Sequence, residues 1–118
     1  MHEVDGGKTI RIILRDCACS HLDDPEFGEL VVQALCEHLG MTQVGAPLTQ
    51  SIPPGLSCVL IIAESHLCIH TWPESSSVRA IIDCCVDFDH DDAAEWLKKA
   101  YGAERYEYSI ANGLRRRC

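Results

Sequence analysis

Apolar residues along the chain form short alternating or continuous runs, typical of strands, and two stretches with a longer period. The segment 9–16, TIRIILRD, alternates and is rich in β-branched residues, which predicts a strand. Turn-forming sequences such as SIPPG and PESSS separate several of the other runs. The same reasoning predicts further strands over 42–51, 57–64, 66–72, 78–86 and 105–110.

Two segments have the period of amphipathic helices. In the first, 21–40, Asp24 suits the N-cap, Pro25 the first helical position and Gly40 the position past the end. The second, 89–102, also ends in glycine. The predicted buried faces consist of Phe27, Leu30, Val31, Ala34, Leu35 and His38 in the first helix and of Ala93, Ala94, Leu97, Ala100 and Tyr101 in the second.

The resulting order, β-α-β-β-β-β-α-β, predicts an α+β two-layer sandwich with a mostly antiparallel sheet and two helices on one face. The other face of the sheet is then exposed or forms an interface. In the last strand we expect Tyr106, Tyr108 and Ile110 to point inward. A length of 118 residues predicts a single domain, 1–118. The sequence contains neither a dinucleotide-binding fingerprint nor a P-loop.

Net charge and hydropathy argue against several classes of binding partner. The net charge of −8 argues against nucleic acid or an anionic membrane, and the one basic cluster, Arg115–Arg117, is terminal. No apolar run approaches the ~20 residues of a membrane span, and the polar, acidic start is unlike a signal peptide. We therefore expect a cytoplasmic protein whose eight cysteines are mostly reduced.

The segment AESHLCIHTWPE, 63–74, follows the most apolar run and is dense in reactive side chains. His66 and His70 suggest zinc, but four residues along one strand span ~13 Å. Zinc ligands lie ~2.0–2.3 Å from the ion, so a regular strand cannot bring both to one ion. Cys17, Cys19 and His21 form a C-x-C-x-H pattern without a second ligand pair. We expect no metal.

Two other interpretations of this segment remain open at this point. Cys84 or Cys85 could pair with His70 across neighbouring strands as in a Cys–His hydrolase, although no local nucleophile signature supports it. Alternatively, the alternate residues of the strand could be an ordinary polar patch. That patch would comprise His66, Cys68, His70 and Trp72.

The sequence ESHLCIHTWPE, 64–74, closely resembles the processing motif of the prokaryotic S-adenosylmethionine decarboxylase proenzymes, which depend on a pyruvoyl group. Chain length, strand order and Cys85 extend the resemblance over nearly the whole chain. It implies that the Ser65 hydroxyl attacks the carbonyl of Glu64, that elimination leaves dehydroalanine, and that hydrolysis yields ammonia and a pyruvoyl group. The products are a chain 1–64 and a pyruvoyl chain 65–118.

The resemblance also implies roles for individual residues. The pyruvoyl ketone forms a Schiff base with the substrate amine and withdraws electrons as CO2 leaves. Cys85 matches the acid that reprotonates the α-carbon. His70 matches a residue that assists processing, and Ser57 one that supports it. Glu74 matches a carboxylate that contacts the ribose hydroxyls, and His66 neighbours the pyruvoyl group.

The resemblance implies a homodimer, an amino-acid-type substrate and a place in spermidine biosynthesis, with S-adenosylmethionine as the leading substrate. Several positions depart from the family. Ser51 replaces an aromatic that stacks on adenine, and Asp83, Cys84 and Val86 replace the usual neighbours of the catalytic cysteine. L-Arginine or L-ornithine is therefore an alternative substrate, which the added carboxylate of Asp83 would suit unless it is solvated or paired with Arg79. A further alternative is an unprocessed, non-catalytic homologue.

Overall fold

The computed structural model describes residues 3–4, 7–63, 65–112 and 116–117, with side chains for 7–63 and 65–111. The predicted order of strands and helices is confirmed. The elements are β1 (Glu3–Val4), β2 (Lys8–Arg15), α1 (Pro25–His38), β3 (Leu48–Ile52), β4 (Gly55–Ile62), β5 (Ser65–Trp72), a 3₁₀ turn (Pro73–Ser75), β6 (Ser77–Cys84), α2 (His90–Tyr101), β7 (Arg105–Asn112) and β8 (Arg116–Arg117). The strand predicted over 42–51 begins later than expected, at Leu48.

Six of these strands form one antiparallel sheet in the order β3-β4-β5-β6-β2-β7. Helix α1 packs on β3, β4 and β5, while α2 packs on β2 and β7. Strands β1 and β8 form a separate antiparallel pair. The predicted two-layer sandwich, with both helices on one face of the sheet, is confirmed. We call the uncovered side of the six-stranded sheet the open face.

The core lies between the helices and the sheet, where one alternate set of strand side chains is fully buried, as at Ile10, Ile12 and Leu14. The observed helix ends match their predicted chemistry. The Asp24 side chain accepts a hydrogen bond from the backbone N–H of Glu26 at the start of α1. Helix α2 ends at Gly102 in a left-handed conformation, which glycine adopts without steric cost.

The predicted buried face of α1 was partly wrong. Leu30 is 65% exposed, and Ala34 and His38 are exposed as well. The buried residues are instead Gly28, Val31, Val32, Leu35 and Cys36. The face is rotated because the helix approaches the sheet at Gly28, where an added Cβ would lie only 3.3 Å from Leu56 Cδ1.

The second helix buries Ala93, Ala94, Leu97 and Tyr101 as predicted. In β7, by contrast, Tyr108 and Ile110 are 39% and 37% exposed although they lie on the helix side of the sheet. The reason is position: β7 is an edge strand, so one flank of each side chain has no neighbouring strand.

Several cysteines are structural. Cys17, Cys36, Cys58 and Cys84 are buried thiols without a disulfide. Burial raises the pKa of Cys17 to about 11, which suppresses the reactive thiolate. In the described part of the chain, no helix has both the length and the apolar character needed to cross a membrane.

Candidate active site

The open face carries Ser57, His66, His70 and Asp83, because they alternate with core residues along β4, β5 and β6. Ser65, by contrast, lies opposite the core residue Cys84. Register places Ser57, His70 and Arg79 in one row across these strands. A second row contains His66 and Asp83. The two rows lie at opposite ends of β5, and each forms a separate group of contacts.

The first group, which we call the Ser65 group, comprises Thr9, Ser65, His66, Asp83 and Cys85. Strands β4 and β5 are joined by residues 63–64, so Ser65 is the first residue of β5. Its Oγ lies 3.5 Å from His66 Nδ1. On the next strand, Asp83 Oδ2 lies 4.0 Å from His66 Nδ1, and Asp83 Oδ1 accepts a 3.1 Å hydrogen bond from Thr9 Oγ1. Glu64 lies outside the described residues.

Cys85 follows directly after Cys84, the residue opposite Ser65 in the ladder between β5 and β6. Cys84 is buried in the core, in keeping with strand alternation, whereas Cys85 is exposed. The sequence interpretation missed Gly7, where an added Cβ would lie 2.6 Å from the Cys84 carbonyl oxygen and 2.7 Å from Cys85 Cα. Gly7 also has a φ of 76°, so only glycine lets the chain pass this closely beside Cys85.

The second group, which we call the His70 group, comprises Ser57, His70, Trp72 and Arg79. Ser57 Oγ lies 2.8 Å from His70 Nδ1, within hydrogen-bond distance. The Arg79 guanidinium sits over the Trp72 ring at 5.2 Å from its centroid. Burial, and then the positive charge of Arg79, lower the pKa of His70, which favours the neutral imidazole. Glu74 lies just beyond, exposed in the 3₁₀ turn.

The two groups are far apart within one chain. His70 follows Ser65 by five residues on the same extended strand, which corresponds to about 17 Å. The sequence interpretation assigned both residues to the same processing reaction. One chain therefore places the Ser65 hydroxyl and the His70 imidazole near opposite ends of β5.

The register also excludes the Cys–His hydrolase within one chain. His70 faces Arg79, five and six residues away from Cys84 and Cys85, so neither thiol lies opposite the imidazole. Among residues 7–63 and 65–111, no three histidine, cysteine or acidic side chains are arranged to hold a metal ion.

The structure locates two of the residues at which the sequence departs from the family, Asp83 and Ser51. Asp83 contacts His66 and Thr9, so the alternative of pairing with Arg79 was wrong. Ser51 is exposed on the edge strand β3. Phe88, one aromatic that could have replaced a stacking residue, is buried beneath Lys8, whose Nζ lies 4.6 Å from the ring centroid. Trp72 remains as a half-exposed aromatic of the open face.

The chain matches the family described as S-adenosylmethionine decarboxylase over residues 9–113. An S-adenosylmethionine decarboxylase proenzyme of Symbiobacterium thermophilum is 36% identical over 86% of this chain and 78% of that protein. A proenzyme of the same name from Thermosipho melanesiensis is 34% identical over 84% of this chain and 77% of its own length. One from Pseudomonas paraeruginosa is 33% identical over 85% of this chain, which spans 63% of that relative.

The fold comparison agrees. The crystal structure of the adenosylmethionine decarboxylase from Aquifex aeolicus superposes with a TM-score of 0.78, covering 91% of this chain and 89% of that one at 19% identity. This similarity establishes the fold. Together with the match over residues 9–113, it shows that the chain belongs to the S-adenosylmethionine decarboxylase family.

Proposed function

We propose that this chain is a proenzyme that cleaves itself between Glu64 and Ser65 and becomes a pyruvoyl-dependent α-decarboxylase. S-Adenosylmethionine is the leading substrate, and the decarboxylated product would serve spermidine biosynthesis in the cytoplasm. The observation that carries the proposal is the Ser65 group. It sets a hydroxyl at the first residue of β5, an imidazole 3.5 Å from that hydroxyl, and an exposed thiol just past the facing residue of β6.

The proposed maturation uses residue 65 as its own cofactor precursor. Ser65 Oγ attacks the Glu64 carbonyl carbon, and the C–N peptide bond is exchanged for an ester. Elimination then breaks the Cβ–O bond, releases chain 1–64 with a carboxylate on Glu64, and leaves dehydroalanine at residue 65. Addition of water and loss of ammonia give the pyruvoyl group. Ser65 fits this chemistry because its side chain is partly accessible and its Oγ lies 3.5 Å from His66 Nδ1.

In decarboxylation, the pyruvoyl group supplies an electrophilic ketone that accepts electrons as CO2 departs. The chain's own residues do the rest. Cys85 Sγ delivers a proton to the substrate α-carbon once the carboxylate has left, a role for which its exposed position beside residue 65 is suited. His66 and Asp83 border the space that the substrate enters.

We infer that a second copy of the chain completes the site. The His70 group is about 17 Å from Ser65 of the same chain, too far for proton transfer. If two open faces pack together in opposite directions, the Ser57–His70 pair of one copy meets the Ser65 end of β5 in the other. Glu74, which belongs to the same end of the sheet as His70, would then contact substrate across the subunit boundary.

The open face suits such contact because it exposes apolar side chains that a monomer would normally bury. Leu48 and Ile52 on β3, Ile61 on β4 and Trp72 on β5 are all exposed large hydrophobic residues. Exposed apolar surface on a sheet face is typical of protein–protein interfaces. We therefore propose a homodimer as the active unit.

A second candidate function within the family is decarboxylation of L-arginine or L-ornithine. It is favoured by the absence of aromatic residues between Phe27 and Trp72 in the sequence and by the burial of Phe88. Both observations leave fewer aromatic side chains that could stack on adenine. The half-exposed Trp72, brought by the second copy, is the aromatic that favours S-adenosylmethionine.

The test combines mass spectrometry with three substrates. The intact mass of purified protein should show two fragments, 1–64 and 65–118, the second with the mass of a pyruvoyl terminus and resistant to Edman sequencing. Release of CO2 is then measured from S-adenosylmethionine, L-arginine and L-ornithine side by side. A single full-length species without CO2 release would instead identify the unprocessed, non-catalytic homologue.

A further inference from the structure

Asp83 is an acidic residue in the middle of the Ser65 group with no part in the proposed chemistry. It lies directly opposite His66 in the ladder between β5 and β6 and opposite Thr9 in the ladder between β6 and β2. Its side chain is 42% exposed on the open face. The carboxylate therefore lies on the open face beside His66, whose Nδ1 is also 3.5 Å from Ser65 Oγ.

The negative charge of Asp83 has little compensation from the protein. Within residues 7–63 and 65–111, His66 is the one chargeable nitrogen within 4.0 Å of the carboxylate, and it carries charge only when protonated. The other partner, Thr9, donates a neutral hydroxyl. Arg11 is on the same face but is paired in register with Ile81 rather than with Asp83. A partly exposed carboxylate without a fixed cation is suited to binding a cation from solution.

The carboxylate is also held in one orientation. The 3.1 Å hydrogen bond from Thr9 Oγ1 fixes Oδ1 and leaves Oδ2 on the side of His66, toward Ser65. Adjacent strands of a sheet are ~4.8 Å apart. Asp83 on β6 is therefore one such spacing from β5, the strand that starts at residue 65. A substrate whose α-amine reaches residue 65 can thus place a charge at Asp83 across a short aliphatic spacer.

We propose that Asp83 is a specificity-determining residue whose carboxylate, positioned by Thr9, binds the positively charged group of an amino-acid-type substrate. The inference rests on the proposed function, because it assumes that the substrate amine engages residue 65. The shared chemistry is a cation beyond the α-carbon, which is a sulfonium in S-adenosylmethionine and a guanidinium or ammonium in basic amino acids. An aromatic side chain at this position would offer no full negative charge.

The test uses ligand pairs that differ only in this charge and cannot lose CO2. One pair is agmatine and its neutral ureido analogue, N-carbamoylputrescine; the other is decarboxylated S-adenosylmethionine and its neutral thioether analogue. Dissociation constants are measured by NMR titration on the protein as purified. We expect the wild type to prefer the charged member of one pair by about tenfold, and the pair that shows this preference identifies the source of the cation.

Asp83→Asn should remove that preference, whereas Asp83→Glu should retain part of it and Thr9→Val should weaken it. Glu107→Gln is the matched control: it removes a carboxylate of the same face that is paired with Arg15, and it should leave the preference unchanged. No charge preference in the wild type, or an unaltered preference in Asp83→Asn, would overturn the proposal.

The same samples separate this inference from the proposed function. Intact mass reports whether residue 65 has been converted, independently of ligand binding. Absence of cleavage with a charge preference that depends on Asp83 would refute the proposed enzyme but retain the cation site. Normal cleavage with no such preference would support the proposed enzyme but refute the cation site.

Discussion

The two ends of β5 carry different parts of the proposed chemistry. The end at Ser65 holds the proposed nucleophile, the proposed proton donor Cys85 and an acidic residue, all at least partly accessible to solvent. The end at His70 holds a hydroxyl–imidazole pair at 2.8 Å beneath a cationic side chain stacked on Trp72. In the proposed reaction the first end is cleaved and the second assists, so neither end is complete by itself.

The comparison shows how a motif that is compact in sequence can be dispersed in space. Five residues of an α-helix rise ~7.5 Å, whereas five residues of a strand rise about 17 Å. Placing Ser65 and His70 on one strand therefore separates them by more than any side chain reaches. In the proposed processing reaction, which uses both residues, this separation makes association of two copies a requirement.

The most direct test of whether Ser65 and His70 act from different copies is complementation between two inactive chains. We expect Ser65→Ala and His70→Ala each to abolish cleavage when expressed alone. When the two are co-expressed with different tags, mixed dimers pair an intact Ser65 with an intact His70 from the other copy. Only the His70→Ala chain should then be cleaved, as read by intact mass.

The control for complementation is co-expression of His70→Ala with Ser65→Ala,His70→Ala, which supplies no imidazole and should leave every chain intact. Absence of cleavage in purified mixed dimers of the two single variants would show that His70 acts within its own chain. That result would contradict the assignment of the two ends to different copies.

A second prediction concerns Cys85 alone. Cys85→Ala should permit at least some cleavage, because the thiol takes no part in the attack by Ser65, yet it should lower CO2 release by about 10²–10⁴-fold through loss of general acid catalysis. Steady-state CO2 release, normalised to the converted fraction, provides the measurement. Cys84→Ala is the neighbouring control and should affect stability rather than turnover, since Cys84 is in the core. Wild-type turnover in Cys85→Ala would show that another group is the acid.

The sequence predicted the fold well where the physical signal is local. Alternation located the strands, and the capping residue Asp24 located the start of α1. The buried face of α1 was partly wrong because Gly28 allows close approach to Leu56. That approach depends on the opposing sheet, which the periodicity of the helix does not contain.

The candidate site was predictable as a set of residue types but not as an arrangement. The motif identified Ser65, His66 and His70, yet the pairing of Ser57 with His70 and of Thr9 with Asp83 depends on strand register. Register is set by packing and turns far along the chain, so a single sequence gives it weakly. The rise of a strand, however, was sufficient to expect the separation of Ser65 from His70.

A third prediction concerns the pH dependence of the cleavage rate, which follows the protonation state of His70. Because burial and Arg79 lower the pKa of His70, its neutral form persists to lower pH, and the acid limb of the cleavage rate should lie below the ordinary histidine value. Arg79→Gln removes the positive charge, raises the pKa of His70 and should move that limb to higher pH. Arg79→Lys retains a charge and is the matched control. The rate of fragment formation after refolding, followed across pH, is the measurement.

The same shift has a consequence for stability with a defined sign. Since the pKa of His70 is lower in the folded than in the unfolded chain, the unfolded chain takes up a proton first as pH falls. The contribution of neutral His70 to stability is therefore lost as pH falls from about 6.5 towards the folded value. Unfolding in urea of the uncleaved Ser65→Ala chain should show this loss, and it should be smaller in Arg79→Gln.

The smallest expected effect comes from a residue outside both groups. It tests how far a loss of stability alone affects cleavage. Asp24→Ala removes the side-chain acceptor for the Glu26 N–H at the start of α1 and should cost about 1 kcal/mol. In the Ser65→Ala background this corresponds to a melting temperature lower by about 4 °C. Asp23→Ala, an exposed neighbour, should have little effect. With Ser65 intact, Asp24→Ala should still cleave fully, because the Asp24 side chain contacts His21 and Glu26 at the start of α1 and belongs to neither group. Loss of cleavage in Asp24→Ala would mean that losses in the His70 and Cys85 variants reflect reduced stability rather than chemistry.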